Sequence, residues 1–160
     1  MSTTSLLDAI AVVKQNERIA SDSYAGAAKS INNPIGKQLF EQLSQFEQFH
    51  FEIVSKLEKS LQEKGKFVAY EGKDFPLPPV FEIEAAKELH RKSAMEIITQ
   101  AMELEKLAEK AYTDLAEQIK DLEGHDTFVR LAREENAHYF ILREAYWTLT
   151  NLGMWKWTRP

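Results

Sequence analysis

Apolar residues recur along most of the chain at alternating steps of four and three, the spacing that gathers side chains on one face of a helix. Four such stripes can be followed. The first reads Leu6, Ile10, Val13, Glu17, Ala20, Tyr24, Ala27, Ile31, and the second Phe40, Leu43, Glu47, His50, Val54, Leu57, Leu61. The third reads Ala94, Ile98, Ala101, Glu105, Ala108, Tyr112, Leu115, Ile119, and the fourth Phe128, Leu131, Glu135, His138, Leu142, Ala145, Leu149. They predict helices over about 5–31, 34–64, 93–120 and 126–151. Ser5 with Asp8 offers a variant capping box for the first helix, and Pro34 suits the first position of the second. Gly65 is a C-terminal stop, Gly124 a break in the chain, and Asp126 the expected N-cap of the fourth helix.

Between the second and third stripes the pattern changes. Lys66 to Val80 contains Gly72, Pro76, Pro78 and Pro79, so it is expected to be extended. At about 3.3 Å per residue such a segment reaches roughly 50 Å, the length of a whole bundle. An additional turn or short helix is expected through Phe81 to Arg91. The other two connections are only a few residues long. Two antiparallel hairpins joined by one long crossover is the ferritin-like arrangement of an all-α four-helix bundle, as opposed to up-down-up-down.

Composition narrows the chemistry. A chain of 160 residues is expected to form one domain, 1–160, able to bury a core without covalent staples. The net charge of -5 speaks against a nucleic-acid partner. No apolar run is long enough to cross a membrane, and Met1-Ser2-Thr3-Thr4 does not begin a signal peptide, so a cytoplasmic location is expected. Cysteine is absent, which removes disulfides, thiol catalysis and thiolate metal sites together. Any bound metal must be held by oxygen and imidazole, a donor set suited to iron, manganese or zinc.

Such donors are where the stripes stop being apolar. Each stripe carries a glutamate in its middle (Glu17, Glu47, Glu105, Glu135), and two add a histidine three residues on (His50, His138). Four carboxylates converging inside a bundle would be opposed by desolvation and by mutual repulsion. Two divalent cations would balance the four ionised glutamates with both histidines neutral. An internal repeat supports the same reading: a shift of 88 positions carries Glu17 to Glu105, Tyr24 to Tyr112, Glu47 to Glu135 and His50 to His138. It also carries Leu43 to Leu131 and Ile53 to Ile141. The i,i+3 spacing sets each Glu and His on one helical face, as in bundles whose paired Glu-x-x-His helices bind two metal ions. One Glu-x-x-His alone would more often be a solvated helix face; two in register, at seam positions, are another matter.

The remaining polar and aromatic residues carry less. Tyr24 and Tyr112 fall on the seam, where their hydroxyls need buried partners, and they are expected to hydrogen-bond the metal-binding carboxylates. His90 and His125 lie off the seam and read as surface or loop residues. Glu103, Glu109 and Glu134 flank the motifs off the seam and are expected to be solvated. Phe46, Phe49 and Phe51 make the second helix aromatic on several sides, either as core beneath the crossover or as a dimer face. Trp147, Trp155 and Trp157 are expected to pack the C-terminal tail onto the bundle.

The segments Glu17 to Tyr24 with Glu47-Gln48-Phe49-His50, and Glu105 to Tyr112 with Glu135-Asn136-Ala137-His138, resemble the rubrerythrin-related ferritin-like family. The resemblance spans all four helices. It implies a di-iron centre of two ions per chain held by Glu17, Glu47, His50, Glu105, Glu135 and His138, with Glu47 and Glu135 as bridging candidates. Manganese, a mixed iron–manganese pair or zinc fit the same donors. Full-length rubrerythrins add a rubredoxin-like site of four cysteines, which this chain lacks, so electrons would come from an external donor. They also carry a further carboxylate three residues beyond the third-helix glutamate, where this chain has Ala108. Bacterioferritins have a similar ligand set, but their haem-binding methionine is replaced here by Gln48, so no haem is expected.

The expected function is reduction of hydrogen peroxide or dioxygen by a homodimeric non-haem di-iron redox protein, in defence against oxidative stress. Two alternatives stand beside it: a ferroxidase or iron-storage protein of the ferritin or bacterioferritin type, and a structural or sensory di-metal bundle.

Overall fold

The computed structural model describes residues 2–74 and 86–156. Helices α1 (Thr3–Ser30) and α2 (Pro34–Lys64) form one antiparallel hairpin, and α3 (Arg91–Gln118) and α4 (Leu122–Leu152) a second. The hairpins face each other to make a four-helix bundle. Seam residues decide which faces meet: Ile10, Leu43, Val54, Leu57, Ile98, Phe128, Leu131, Leu142 and Leu149 are all fully buried. Among the described residues no helix is long and apolar enough to cross a membrane.

Helix ends follow local chemistry, at places the seam alone misjudges. Ser2, not Ser5, caps α1, its hydroxyl accepting from the Ser5 amide. Asn33 caps α2 ahead of Pro34, and Gly65 ends it with φ of 68°, a left-handed conformation that glycine adopts without a Cβ clash. The fourth helix begins a turn earlier than expected. Asp121, and not Asp126, is its N-cap, accepting from the Gly124 amide at 2.9 Å. Gly124 therefore lies inside the first turn of α4 and does not break the chain. Its missing side chain is used otherwise: a Cβ there would run into the ring of Phe67.

The two ends of the bundle define the path of the crossover. At one end lie Gly65, Phe67, Ile119 and Gly124; at the other, the α1–α2 turn meets the start of α3 and the end of α4. Two short strands, β1 (Ala86–Lys87) and β2 (Met154–Trp155), pair antiparallel at this second end. The chain leaves α2 at one end and enters α3 at the other, so the crossover runs the length of the bundle and sets α1 antiparallel to α3. Residues 65–74 are irregular and lie along the bundle; the rest of the expected crossover, and residues 81–85 of the expected short helix, lie outside the described residues. Ala86 and Lys87 form a strand, not part of a helix.

Trp155 closes the second end. Its ring is buried against Gly36, where an added Cβ would come within 2.6 Å of it, and its indole N–H donates to Glu88 at 2.6 Å. Trp147 behaves otherwise, with 54% of its surface exposed, and Trp157 lies outside the described residues. Phe46 is buried, and the half-buried Phe49 packs on Tyr70 of the crossover, so both serve the core beneath that segment.

Trp155→Ala is expected to cost about 3 kcal/mol, as for other buried aromatics. Trp147→Ala should change stability by no more than about 0.5 kcal/mol. Denaturant midpoints of the two variants check the contrast.

Candidate metal centre

The apolar core is in two pieces. One, containing Phe40, Leu43, Ile98, Leu142 and Trp155, fills the end with the paired strands. The other, containing Ile10, Leu57, Phe67, Phe128 and Leu131, fills the opposite end. Between them lies a polar layer of Glu17, Glu47, His50, Glu105, Glu135 and His138, each no more than 3% exposed. All six residues singled out by the seam and the repeat are brought together.

They fall into two overlapping groups. Glu17, Glu47, His50 and Glu135 can each offer a ligand atom within 4.8 Å of the others, and so can Glu47, Glu105, Glu135 and His138. Glu47 and Glu135 belong to both, the arrangement expected of carboxylates shared between two ions. The Nδ1 atom of His50 faces the layer, 2.5 Å from Glu135 Oε1 and 3.3 Å from Glu47 Oε2. That of His138 lies 3.0 Å from Glu47 Oε1 and 3.5 Å from Glu105 Oε2.

The tyrosines act across the repeat. Tyr24 on α1 donates to Glu105 on α3 at 2.8 Å, while Tyr112 on α3 donates to Glu17 on α1 at 2.5 Å. The geometry follows from the sequence spacing. Seven residues of helix rise about 10.5 Å, so two antiparallel helices that each carry Glu and Tyr seven apart place each Tyr beside the other's Glu.

Each of the four glutamates keeps one buried carboxylate oxygen, Oε2, without a hydrogen-bond partner. Buried acceptors are rarely left so, because the lost hydration is costly. A pair of cations among these oxygens would satisfy all four. The donor set is oxygen and imidazole only, which fits iron, manganese or zinc.

Without a cation the layer must be balanced by protons. Burial pushes Glu47 up to about 8, with the charges of Glu105 and Glu17 adding to it. Burial and the charges of Glu17 and Glu47 likewise hold Glu135 well above the carboxylate range. For Glu17, burial opposes ionisation, but the nearby Glu47 and His50 side chains, the charge of His50 and the Tyr112 hydrogen bond outweigh it and bring the group down to about 2. Burial disfavours both imidazolium ions, yet Glu135 beside His50 and Glu105 beside His138 raise the two rings well above their usual value.

One contributor was not visible in the seam. Glu134, expected to be solvated, is 5% exposed and accepts from His50 Nε2 at 3.1 Å and from the Tyr70 hydroxyl at 2.6 Å. Its position beside Glu135 puts it off the seam, and only the placement of the crossover buries it. Glu103 is exposed as expected, and Glu109 pairs with Lys106 near the surface. His90 is exposed at the start of α3, whereas His125 sits in the first turn of α4 with its Nδ1 2.8 Å from the Ala116 carbonyl.

A cavity of about 150 Å³ between α1 and α3, walled by Ile19, Ala20, Leu104, Leu107 and Ala108, touches Glu17, Glu47, Glu105 and Glu135.

The rubrerythrin family model matches residues 6–146. A solved structure of a hypothetical protein from Pyrococcus furiosus is similar over 97% of this chain and 94% of that one, with 28% identity and a TM-score of 0.66. No curated protein matches the chain.

Because the folded chain retains the Glu47 proton up to about pH 8 while the unfolded chain releases it near 4.5, metal-free stability should fall as pH rises between those values. The raised histidines act in the same direction above about pH 6.5. Bound divalent metal replaces these protons, so the metal-loaded protein should gain stability over the same range. Urea unfolding at pH 5, 6, 7 and 8, with and without zinc, measures both slopes.

Proposed function

The chain belongs to the rubrerythrin family, and on that premise we propose that it is a non-haem di-iron redox protein that reduces hydrogen peroxide or dioxygen with electrons from an external donor. The observation that carries this reading is the cavity between α1 and α3, which ends on four carboxylates belonging to two overlapping groups that could each hold a metal ion. At about 150 Å³ the cavity admits a molecule the size of dioxygen or peroxide and lies below the usual volume of pockets for larger organic substrates.

Glu17, Glu47, Glu105, Glu135, His50 and His138 would hold the metal pair, and a ferrous pair bound there would supply two electrons, enough to cleave the O–O bond of peroxide or to take dioxygen to peroxide. Reduction of one peroxide to two waters consumes two electrons and two protons, both returned from outside the chain. Residues around the layer prepare the site. Tyr24 and Tyr112 fix one oxygen of Glu105 and of Glu17, leaving the second oxygen of each free to bind. Phe46 packs edge-on against both imidazoles, 4.9 Å from His50 and 4.5 Å from His138, and helps to fix the orientation of the two rings. Ile19, Leu104 and Leu107 make the mouth of the cavity apolar, which favours small, weakly hydrated molecules over ions.

Anaerobic protein loaded with two ferrous ions and mixed with peroxide in a stopped-flow instrument should be oxidised at least about 100-fold faster than free ferrous ion. A rate no higher than that of free iron would overturn the reading. Ala108→Leu, which narrows the cavity and replaces no ligand, should slow this oxidation about tenfold or more while iron binding stays within about threefold.

A further inference from the structure

The 88-residue repeat that relates the two halves of the site does not hold at a buried position beside the histidines. Glu134 on α4 corresponds to Phe46 on α2. Both side chains are buried, but Glu134 brings a carboxylate to His50 whereas Phe46 brings an aromatic ring to both histidines.

The surroundings of Glu134 account for its charge. Oε1 accepts from His50 Nε2 at 3.1 Å and from the Tyr70 hydroxyl at 2.6 Å. Oε2 accepts from Arg130 Nε at 3.0 Å and from the Lys73 backbone amide at 3.3 Å. Two of these four donors come from the crossover. Arg130 in turn reaches Asp74 at 3.0 Å, a third contact to the same segment. Gly72 lets the backbone turn there: its φ is 96°, and a Cβ would collide with the Arg130 guanidinium. The segment 70–74 is thus seated on α4 by Glu134, with Arg130 adding its pair to Asp74.

His50 presents Nδ1 to the carboxylate layer and Nε2 to Glu134. A metal-binding imidazole is oriented, and made a better donor, when its other nitrogen gives its hydrogen to a carboxylate. We propose that Glu134 is a positioning residue that strengthens metal binding on the His50 side of the pair and couples occupancy of that side to the seating of crossover residues 70–74. This rests on the di-metal reading above. The link is short: metal on Nδ1 fixes the ring, the ring fixes Nε2–H, and that bond holds the carboxylate onto which Tyr70 and Lys73 close. Asymmetry between the ions follows from a residue that binds neither of them.

Cobalt(II) titration followed by visible absorption tests the first half. Wild-type protein should take up two equivalents; failure to do so would overturn the di-metal reading itself. With two equivalents bound by the wild type, Glu134→Ala should weaken one of them about 10- to 100-fold and leave the other within about threefold. Glu134→Gln retains an acceptor for Nε2–H without the charge and should fall between. It also serves as the second variant should the alanine protein fail to fold, as judged by circular dichroism. Equal weakening of both equivalents, or of neither, would overturn the proposal.

Amide hydrogen exchange tests the second half. Cobalt or zinc should slow exchange of the Lys73 amide in the wild type at least about fivefold, and this protection should disappear in Glu134→Gln and in Tyr70→Phe. A Lys73 amide indifferent to metal, or protected equally in the variants, would refute the coupling.

Discussion

Four glutamates enter the middle of a bundle whose two ends are apolar, and their charge has to be cancelled on the spot. In water these groups would repel one another weakly; in a buried layer both desolvation and repulsion grow severe. The metal-free chain answers with protons: Glu47, Glu135 and both imidazoles are shifted towards their protonated forms, and Glu17 and Glu105 towards their ionised ones. Two divalent cations answer the same need without protons. Much of the surrounding structure, from the tyrosine bonds to the Phe46 ring, serves to keep this layer oriented.

The bundle topology makes the arrangement possible. Because the crossover carries the chain from one end to the other, α1 and α3 run antiparallel, and a Glu and Tyr seven residues apart on each can satisfy one another. Had the second hairpin entered in the opposite sense, each Tyr would lie about two turns from the carboxylate it now holds. The repeat is therefore more than a trace of duplication. It is the pattern that a near-two-fold metal layer requires of two hairpins.

Departures from that symmetry are where the halves can differ. Phe46 and Glu134 occupy equivalent positions, and only the second is charged. The charge is tolerated because the crossover passes over α4 and brings Tyr70, Lys73 and Asp74 with it. A segment that could be read as a mere connection is also part of the wall of the site.

The four helices, the polar layer and its six donors were legible in the sequence, because heptad spacing and i,i+3 pairs are local properties of one helix. The long crossover was legible too, from its prolines and its length. Cap positions were legible only to within a turn: Asp126 was expected to cap α4, and Asp121 caps it instead. Glu134 was not legible at all. A glutamate off the seam is ordinarily solvated, and its burial depends on a chain segment some sixty residues away, whose path no helical period records. The sequence alone determined which side chains share a helical face, since that is geometry within a few turns; only the tertiary structure decided which of them a distant segment would cover, since that depends on how whole elements pack.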